Sequence, residues 1–145
     1  MTSADRDALR QKLIAHEGLR LSAYQDHLGF WTIGVGRLID ARKGGTISKP
    51  EAMTLLDNDI NACLDDLSTF SWFQSLDPVR QRALCDMRFQ LGSGGFRGFQ
   101  QMIAALEDGN YADAAAAARD SKWARSDSPE RAKSVTAMLE TGQEV

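Results

Sequence analysis

The spacing of hydrophobic positions changes along this chain at the glycine pair 44–45. Before it, apolar residues over 3–16 recur at helical spacing. Two short alternating patterns follow near residues 20–25 and 30–35, and a third strand or loop passes through residues 38–39. The first third of the chain is therefore predicted to form one helix followed by a small antiparallel sheet.

After the glycine pair the pattern is helical. Ser48 and Glu51 form a capping box, which predicts the start of a long helix. Asp77 as N-cap and Pro78 at the first helical position start another helix, and the glycine-rich residues 92–95 are predicted to stop it. Further helices are predicted over residues 99–106, over residues 111–118 and from residue 128 to residue 142.

These elements predict an α+β chain in one domain, organised as two lobes. A small N-terminal lobe with a helix and a hairpin (residues 1–47) leads into a connecting helix (48–68) and then into a larger helical lobe (69–145). A cleft between two such lobes is the usual place for a ligand. A chain of 145 residues buries enough surface to need neither a metal nor a disulfide for stability.

Composition excludes some classes of partner. There are 17 Lys and Arg residues against 20 Asp and Glu, a net charge of −3, which argues against a nucleic-acid binder that neutralises phosphates. Cys63 and Cys85 are the only cysteines, and each lies among apolar residues of a predicted helix. We expect two reduced, buried thiols that act as small hydrophobic residues.

The N-terminus is polar, and no stretch approaches 18 apolar residues. We therefore expect synthesis in the cytosol and no stable insertion into a membrane. If the substrate lies outside the membrane, another factor must carry or release the protein.

The stretch between Glu17 and Gly36 holds the candidate chemistry. Cleavage of a glycosidic bond needs one carboxyl group to protonate the leaving oxygen and a second carboxylate across the cleft. Glu17, at the exit of the first helix, is the candidate general acid, and Asp26, before the hairpin turn, is the candidate base. Thr32 could hold the attacking water beside Asp26.

Each of these residues also has an ordinary structural explanation. Glu17 could be a surface residue near a helix end, Asp26 a turn former, and Thr32 a residue favoured in strands.

Two glycines nearby point instead to a ligand. Gly34 and Gly36 are unfavourable within a strand and suggest close approach of a ligand to the backbone.

The same residues form a recognisable motif. E-G-x-x-x-x-A-Y-x-D-x-x-G-x-x-T-I-G-x-G, from Glu17 to Gly36, resembles the active-site signature of the phage-type lysozyme (endolysin) family, which includes the lysozymes of T-even phages. The resemblance continues in the right order through residues 83–92, 98–99, 121–123 and 128–132.

The resemblance implies a two-lobe lysozyme fold and hydrolysis of the β-1,4 bond between N-acetylmuramic acid and N-acetylglucosamine in peptidoglycan. It makes Glu17 the proton donor and assigns the positioning of water to Asp26 and Thr32. It also implies substrate-binding residues, each of which has an alternative as a core or surface residue: Leu38, Phe89 and Gln90 match positions that line the sugar cleft, and Arg131 matches an arginine that contacts the catalytic acid.

One departure from the family pattern is Arg37, where most relatives carry histidine. If Arg37 and Arg131 both lie near Glu17, they would favour its ionised form and shift the activity optimum to more acidic pH. The alternative is that Arg37 points to solvent or pairs with another acid.

The leading prediction is thus an inverting muramidase used for host lysis, which acts as a monomer on peptidoglycan glycan strands without metal or cofactor. Two alternatives stay open. A lytic transglycosylase would cleave the same bond without a base that holds water. A catalytically silent glycan-binding domain of a phage structural component would keep only the fold.

Overall fold

A computed structural model of the chain describes residues 1–39 and 46–145. It divides into two compact units, an N-terminal unit of residues 1–54 and a C-terminal unit of residues 55–145. The N-terminal unit contains a small antiparallel sheet, and the rest of the described chain is mainly helical. The predicted α+β class is confirmed, whereas the glycine pair 44–45 lies outside the described residues.

The N-terminal unit begins with helix α1 (Ser3–Glu17), which is followed by strands β1 (Arg20–Gln25), β2 (Trp31–Gly34) and β3 (Arg37–Leu38). The strands form an antiparallel sheet in the order β1-β2-β3. Gly18 ends α1 as predicted: its φ is 76°, and its N–H donates to the carbonyl of Ile14 at 2.8 Å. The helix reaches one residue further than predicted, so that Glu17 is its last residue.

Helix α2 (Lys49–Leu67) starts at the predicted capping box. The Ser48 N–H donates to Glu51 Oε2 at 2.9 Å, and the Glu51 N–H donates to Ser48 Oγ at 3.4 Å. These reciprocal bonds satisfy two N–H groups that a helix start leaves without intrahelical partners. The helix continues from the N-terminal unit into the C-terminal unit.

The C-terminal unit holds the end of α2 and a further set of helices. A short 3₁₀ turn (Phe73–Ser75) precedes the longest of them. The helices are α3 (Pro78–Arg97), α4 (Gln100–Glu107), α5 (Tyr111–Arg119) and α6 (Pro129–Thr141), with a π-helical turn at Trp123–Asp127 before α6.

The helix is interrupted at Gly92, within the predicted stop at residues 92–95, but a second helical segment follows that was not predicted. Gly92 leaves the helical conformation with φ 71° and ψ 171°, but helical geometry resumes and α3 continues to Arg97. Gly92 therefore ends the regular helix that begins at Pro78 and separates it from a short second helical segment up to Arg97, which was not predicted.

The core of the C-terminal unit lies between α3, α4, α5 and α6. α5 packs against α4 and α6, and α3 also packs against α6. Its largest fully buried apolar side chains are Leu67, Phe73, Leu84, Met87, Phe96, Met102, Leu106 and Leu139. Because this core excludes Phe89, which is 43% exposed, Phe89 remains accessible on the surface of α3.

Both cysteines are free thiols, as predicted, but only Cys63 is buried. Cys85 is half-buried, which corrects the prediction for that residue. Partial burial, together with the neighbouring Cys63, raises the pKa of Cys85 to about 11. The Cys85 thiol is therefore protonated near neutral pH and a poor nucleophile.

A partly buried ion-pair cluster joins α2 to α3. Asp66 Oδ2 accepts a hydrogen bond from Arg88 Nε at 2.8 Å, and Asp66 Oδ1 lies 2.7 Å from Arg97 Nη1. Burial opposes ionisation of Asp66, but hydrogen bonds from Arg88, Ser93 and Arg97 outweigh burial and lower the pKa of Asp66. The charged form is therefore the stable one in the fold.

We expect Asp66→Asn to lower the free energy of unfolding by about 1–3 kcal/mol, because it leaves partly buried guanidinium groups without their counter-charge. The wild-type advantage should hold above the ordinary carboxyl pKa of about 3.9 and disappear as pH falls through the lowered pKa of Asp66. Urea denaturation at several pH values measures this loss. Asp65→Asn is the matched control on the exposed side of α2 and should change stability by less than about 0.5 kcal/mol; equal effects of the two variants would contradict the prediction.

No helix in the described part of the chain is long and apolar enough to cross a membrane.

Candidate active site

Glu17 is the last residue of α1 and is exposed. Its carboxylate lies against the backbone of Gly36: a Cβ added at residue 36 would be 2.7 Å from Glu17 Oε2. The same carboxylate borders a hollow of about 510 Å³ in the N-terminal unit. Apolar side chains from α1 contribute to its lining, namely those of Leu9, Leu13 and Ile14. Absence of a side chain at Gly36 is thus what makes room for the Glu17 carboxylate.

Asp26 follows the last residue of β1 and is held by the hairpin turn. Its Oδ1 accepts hydrogen bonds from the N–H groups of Leu28 and Phe30, both at 2.9 Å. The bond from Phe30, together with that from Leu28, holds the pKa of Asp26 below its ordinary value of 3.8. Asp26 is therefore ionised near neutral pH, as a base must be and as an acid must not be.

Thr32 is joined to Asp26 through the backbone of Phe30. The Thr32 hydroxyl donates to the Phe30 carbonyl at 3.2 Å, while the Phe30 N–H donates to Asp26. Thr32 is only 5% exposed, and its hydroxyl oxygen can still accept a hydrogen bond. The structure thus brings these two predicted residues together, through a backbone contact that the sequence motif does not reveal.

Leu38 lies beside Thr32 in the sheet. The two residues are opposite each other on β3 and β2, so their side chains extend on the same side of the sheet. Leu38 is 45% exposed, which excludes the alternative that it is a core residue.

Arg37 forms an ion pair with Glu51, the carboxylate of the capping box at the start of α2. Hydrogen bonds from Ser48 and the charge of Arg37 lower the pKa of Glu51. The guanidinium of Arg37 is thus engaged by a carboxylate other than Glu17. The hypothesis that Arg37 acts on Glu17 is therefore replaced by its alternative, pairing with another acid.

Two of the predicted substrate-binding residues share a second hollow, of about 420 Å³, in the C-terminal unit. Phe89 and Arg131 both line it, together with Asp86. Arg131 Nε donates to Asp86 Oδ1 at 2.5 Å, and Arg131 Nη2 donates to the Asp86 carbonyl at 3.2 Å. The Arg131 side chain is therefore held in one orientation at the edge of this hollow.

Gln90 is exposed on α3 and has both ends of its amide hydrogen-bonded. Trp123 Nε1 donates to Gln90 Oε1 at 2.9 Å, and Gln90 Nε2 donates to Ser128 Oγ at 2.6 Å. Trp123 and Ser128 were not predicted as partners of Gln90, nor Asp86 as the partner of Arg131. All three lie in segments that resemble the family, but the Ser-Pro helix start at Ser128 by itself predicts only a cap.

Among the residues that the structure describes, no group of three His, Cys, Asp or Glu side chains is placed to hold a metal ion.

Comparison with known proteins agrees with the motif. The model of the phage lysozyme family matches residues 14–139, a range that includes all of the residues discussed above as candidates for the site. The chain therefore belongs to the phage lysozyme family, and this membership supports a lysozyme, that is, glycosidase, function.

The chain is similar both to lysozymes and endolysins and to a phage spike protein. The "Probable T4-type lysozyme 2" of Dictyostelium discoideum is 28% identical over 93% of this chain and 95% of its own length. The "Endolysin" of Acyrthosiphon pisum secondary endosymbiont phage 1 is 32% identical over 76% of this chain and 73% of its own length. The "Pre-baseplate central spike protein Gp5" of Enterobacteria phage T4 is 32% identical over 93% of this chain, which spans only 28% of that protein.

Proposed function

We propose that this chain is an endolysin that hydrolyses the β-1,4 bond between N-acetylmuramic acid and N-acetylglucosamine in bacterial peptidoglycan. The observation that carries the proposal is the cluster of Asp26, Phe30 and Thr32, which combines an ionised carboxylate with a neighbouring hydroxyl. Glu17, at the end of α1 beside Gly36, supplies the second carboxyl group. Family membership supports the same class of reaction.

In the proposed mechanism Glu17 donates its proton to the glycosidic oxygen as the bond from that oxygen to the anomeric carbon breaks. A water molecule, hydrogen-bonded to Thr32 and Asp26, attacks the anomeric carbon from the opposite face and gives its proton to Asp26. The configuration at the anomeric carbon is thereby inverted. Leu38, Phe89, Gln90 and Arg131 are proposed to bind the glycan strand.

The ionised state of Asp26 favours hydrolysis over transglycosylation, since a lytic transglycosylase needs no base for water. Digestion of peptidoglycan in ¹⁸O-water, followed by mass spectrometry, tests the choice. We expect reducing ends that carry one ¹⁸O atom, and NMR of fresh product should show the inverted anomer. Anhydro-muramoyl ends, lighter by one water, would establish the transglycosylase instead.

A second candidate function is a glycan-binding domain of a phage structural protein, which the similarity to a central spike protein favours. The two candidates differ in a clearing assay on chloroform-treated Gram-negative cells. The endolysin proposal predicts loss of turbidity with the wild-type chain, whereas a silent domain binds the sacculus and leaves it intact.

The lowered pKa of Asp26 gives a pH prediction. Because the base must be ionised, activity is retained above its pKa and lost as pH falls through it. We expect the acid limb of kcat/KM to have its midpoint below 3.8. The Asp26→Asn variant should lack that limb and retain only weak activity, while circular dichroism shows whether the fold survives at each pH. A midpoint well above 3.8 that Asp26→Asn does not remove would assign the limb to another group.

We further propose that the protein is made in the host cytoplasm as a monomer and reaches the cell wall when the membrane is opened during lysis.

A further inference from the structure

Two side chains of the C-terminal unit fix the amide of Gln90. An indole N–H can only donate a hydrogen bond, so the group that Trp123 contacts at 2.9 Å must be the oxygen of Gln90. The Gln90 nitrogen then faces Ser128, to which it donates at 2.6 Å. The amide cannot be reversed without losing the bond to Trp123, so its orientation is set by chemistry.

The Ser128 hydroxyl accepts the hydrogen bond from Gln90, whereas a serine at the start of a helix commonly caps a backbone N–H of that helix. Ser128 occupies the N-cap of α6, yet its side chain caps no backbone N–H. Asp77 stands before a proline in the same way at the start of α3, and its side chain accepts from the N–H groups of Val79 and Arg80. The ψ angle is 158° at Asp77 and 61° at Ser128. Serine is one of the preferred N-cap residues, so the hydroxyl of Ser128 is diverted from its common local role.

The π-helical turn places both partners of Gln90. The Ser128 N–H donates to the Trp123 carbonyl at 2.9 Å, five residues back, which brings the two ends of the turn together. Trp123 is 4% exposed, and its ring packs edge-on against Phe99 with 5.9 Å between centroids. The anchor is therefore rigid, and single π turns of this kind are frequent at functional sites.

Gln90 keeps unused hydrogen-bonding capacity after these two bonds. They use one of its two N–H groups and one of the two lone pairs on its oxygen. The side chain is exposed, and the remaining donor and acceptor match the carbonyl and the N–H of a secondary amide. A glycan strand of peptidoglycan offers secondary amides on its sugars, as acetamido groups, and in its peptide stems.

We propose that Trp123 and Ser128 are positioning residues that hold Gln90 so that it binds a secondary amide of the substrate. This inference rests on the proposed function, because it takes peptidoglycan as the ligand. It adds two residues to the binding machinery and assigns Gln90 a defined chemical partner.

The test is affinity for glycan strands, measured by titration calorimetry in a Glu17→Gln background so that the ligand is not consumed. Ser128→Ala should weaken binding about 3- to 10-fold, the effect of one hydrogen bond, and Ser128→Thr should restore it. Gln90→Ala should weaken binding at least as much. Because Ser128 acts through Gln90, adding Ser128→Ala to Gln90→Ala should cause no further loss.

Three ligands separate the two sources of the amide: peptide-free strands, the same strands after de-N-acetylation, and strands that carry stems. If Gln90→Ala weakens binding of peptide-free strands, and this loss of affinity disappears after de-N-acetylation, the ligand group is the acetamido group. If Gln90→Ala weakens binding only of strands with stems, the ligand group is a peptide amide. Equal affinities of all variants for all three ligands, or additive losses for Ser128 and Gln90, would overturn the proposal.

A stability control separates positioning from folding. Since Ser128 caps no N–H and its bond to Gln90 is exposed, Ser128→Ala should change the melting temperature much less than the loss of a cap does. Asp77→Ala loses a true cap, so it should lower the melting temperature while glycan affinity stays unchanged below the transition. If wild-type protein binds glycan but does not hydrolyse it, the proposed function fails, whereas the binding comparison still decides the role of Ser128.

Discussion

Glu17→Gln is expected to reduce the hydrolysis of peptidoglycan by about 10²- to 10⁴-fold, the usual contribution of a general acid. The carboxamide has nearly the size of the carboxyl group and fits the space that Gly36 leaves beside it. It cannot donate a proton to the leaving oxygen as an acid does. Initial rates of turbidity loss and of reducing-end release measure the change.

The C-terminal unit offers a matched control for this substitution. Glu107 is the last residue of α4, as Glu17 is of α1, and it is also exposed. Glu107→Gln should leave activity and stability close to those of the wild type. If Glu17→Gln kept more than a tenth of the wild-type rate while folded, the assignment of the acid to Glu17 would be wrong.

Local interactions made much of the fold predictable. The capping box of Ser48 and Glu51 involves residues three apart, and the Asp77-Pro78 helix start involves neighbours, so the sequence contains the whole interaction. The path of α3 through Gly92 was not predictable in this way. A glycine with positive φ ends the helix before it, but its residue type does not reveal whether a second helical segment follows, as it does here up to Arg97.

In the candidate site, too, the sequence predicted residue types but not the contacts between them. The residue types and their order made Glu17, Asp26 and Thr32 candidates, but the link between the last two runs through the backbone of Phe30. A contact through the backbone does not depend on the residue type, so the sequence does not predict it. The partner of Arg37 was open for a related reason, since an exposed guanidinium can pair with any carboxylate that the fold brings near.

Gly36→Ala is expected to lower activity about 100-fold, because displacement of a catalytic group by about 1 Å can have an effect of that size. The new Cβ would stand 2.7 Å from Glu17 Oε2, and the flexible carboxylate is the group that moves. The φ angle of +63° at residue 36 adds a backbone cost of roughly 1–2 kcal/mol for any residue with a side chain. Activity must therefore be compared between variants of equal stability.

Gly34→Ala provides that comparison. Gly34 has a similar φ of +68°, but a Cβ at residue 34 would have nothing within 4 Å. Both variants should show a similar loss in the free energy of unfolding by urea denaturation, while only Gly36→Ala should lose most of its kcat. Equal kcat values for the two variants would mean that contact with residue 36 does not set the position of Glu17. A loss of kcat in Gly36→Ala alone would show that Gly36 makes room for the carboxylate that we propose as the general acid.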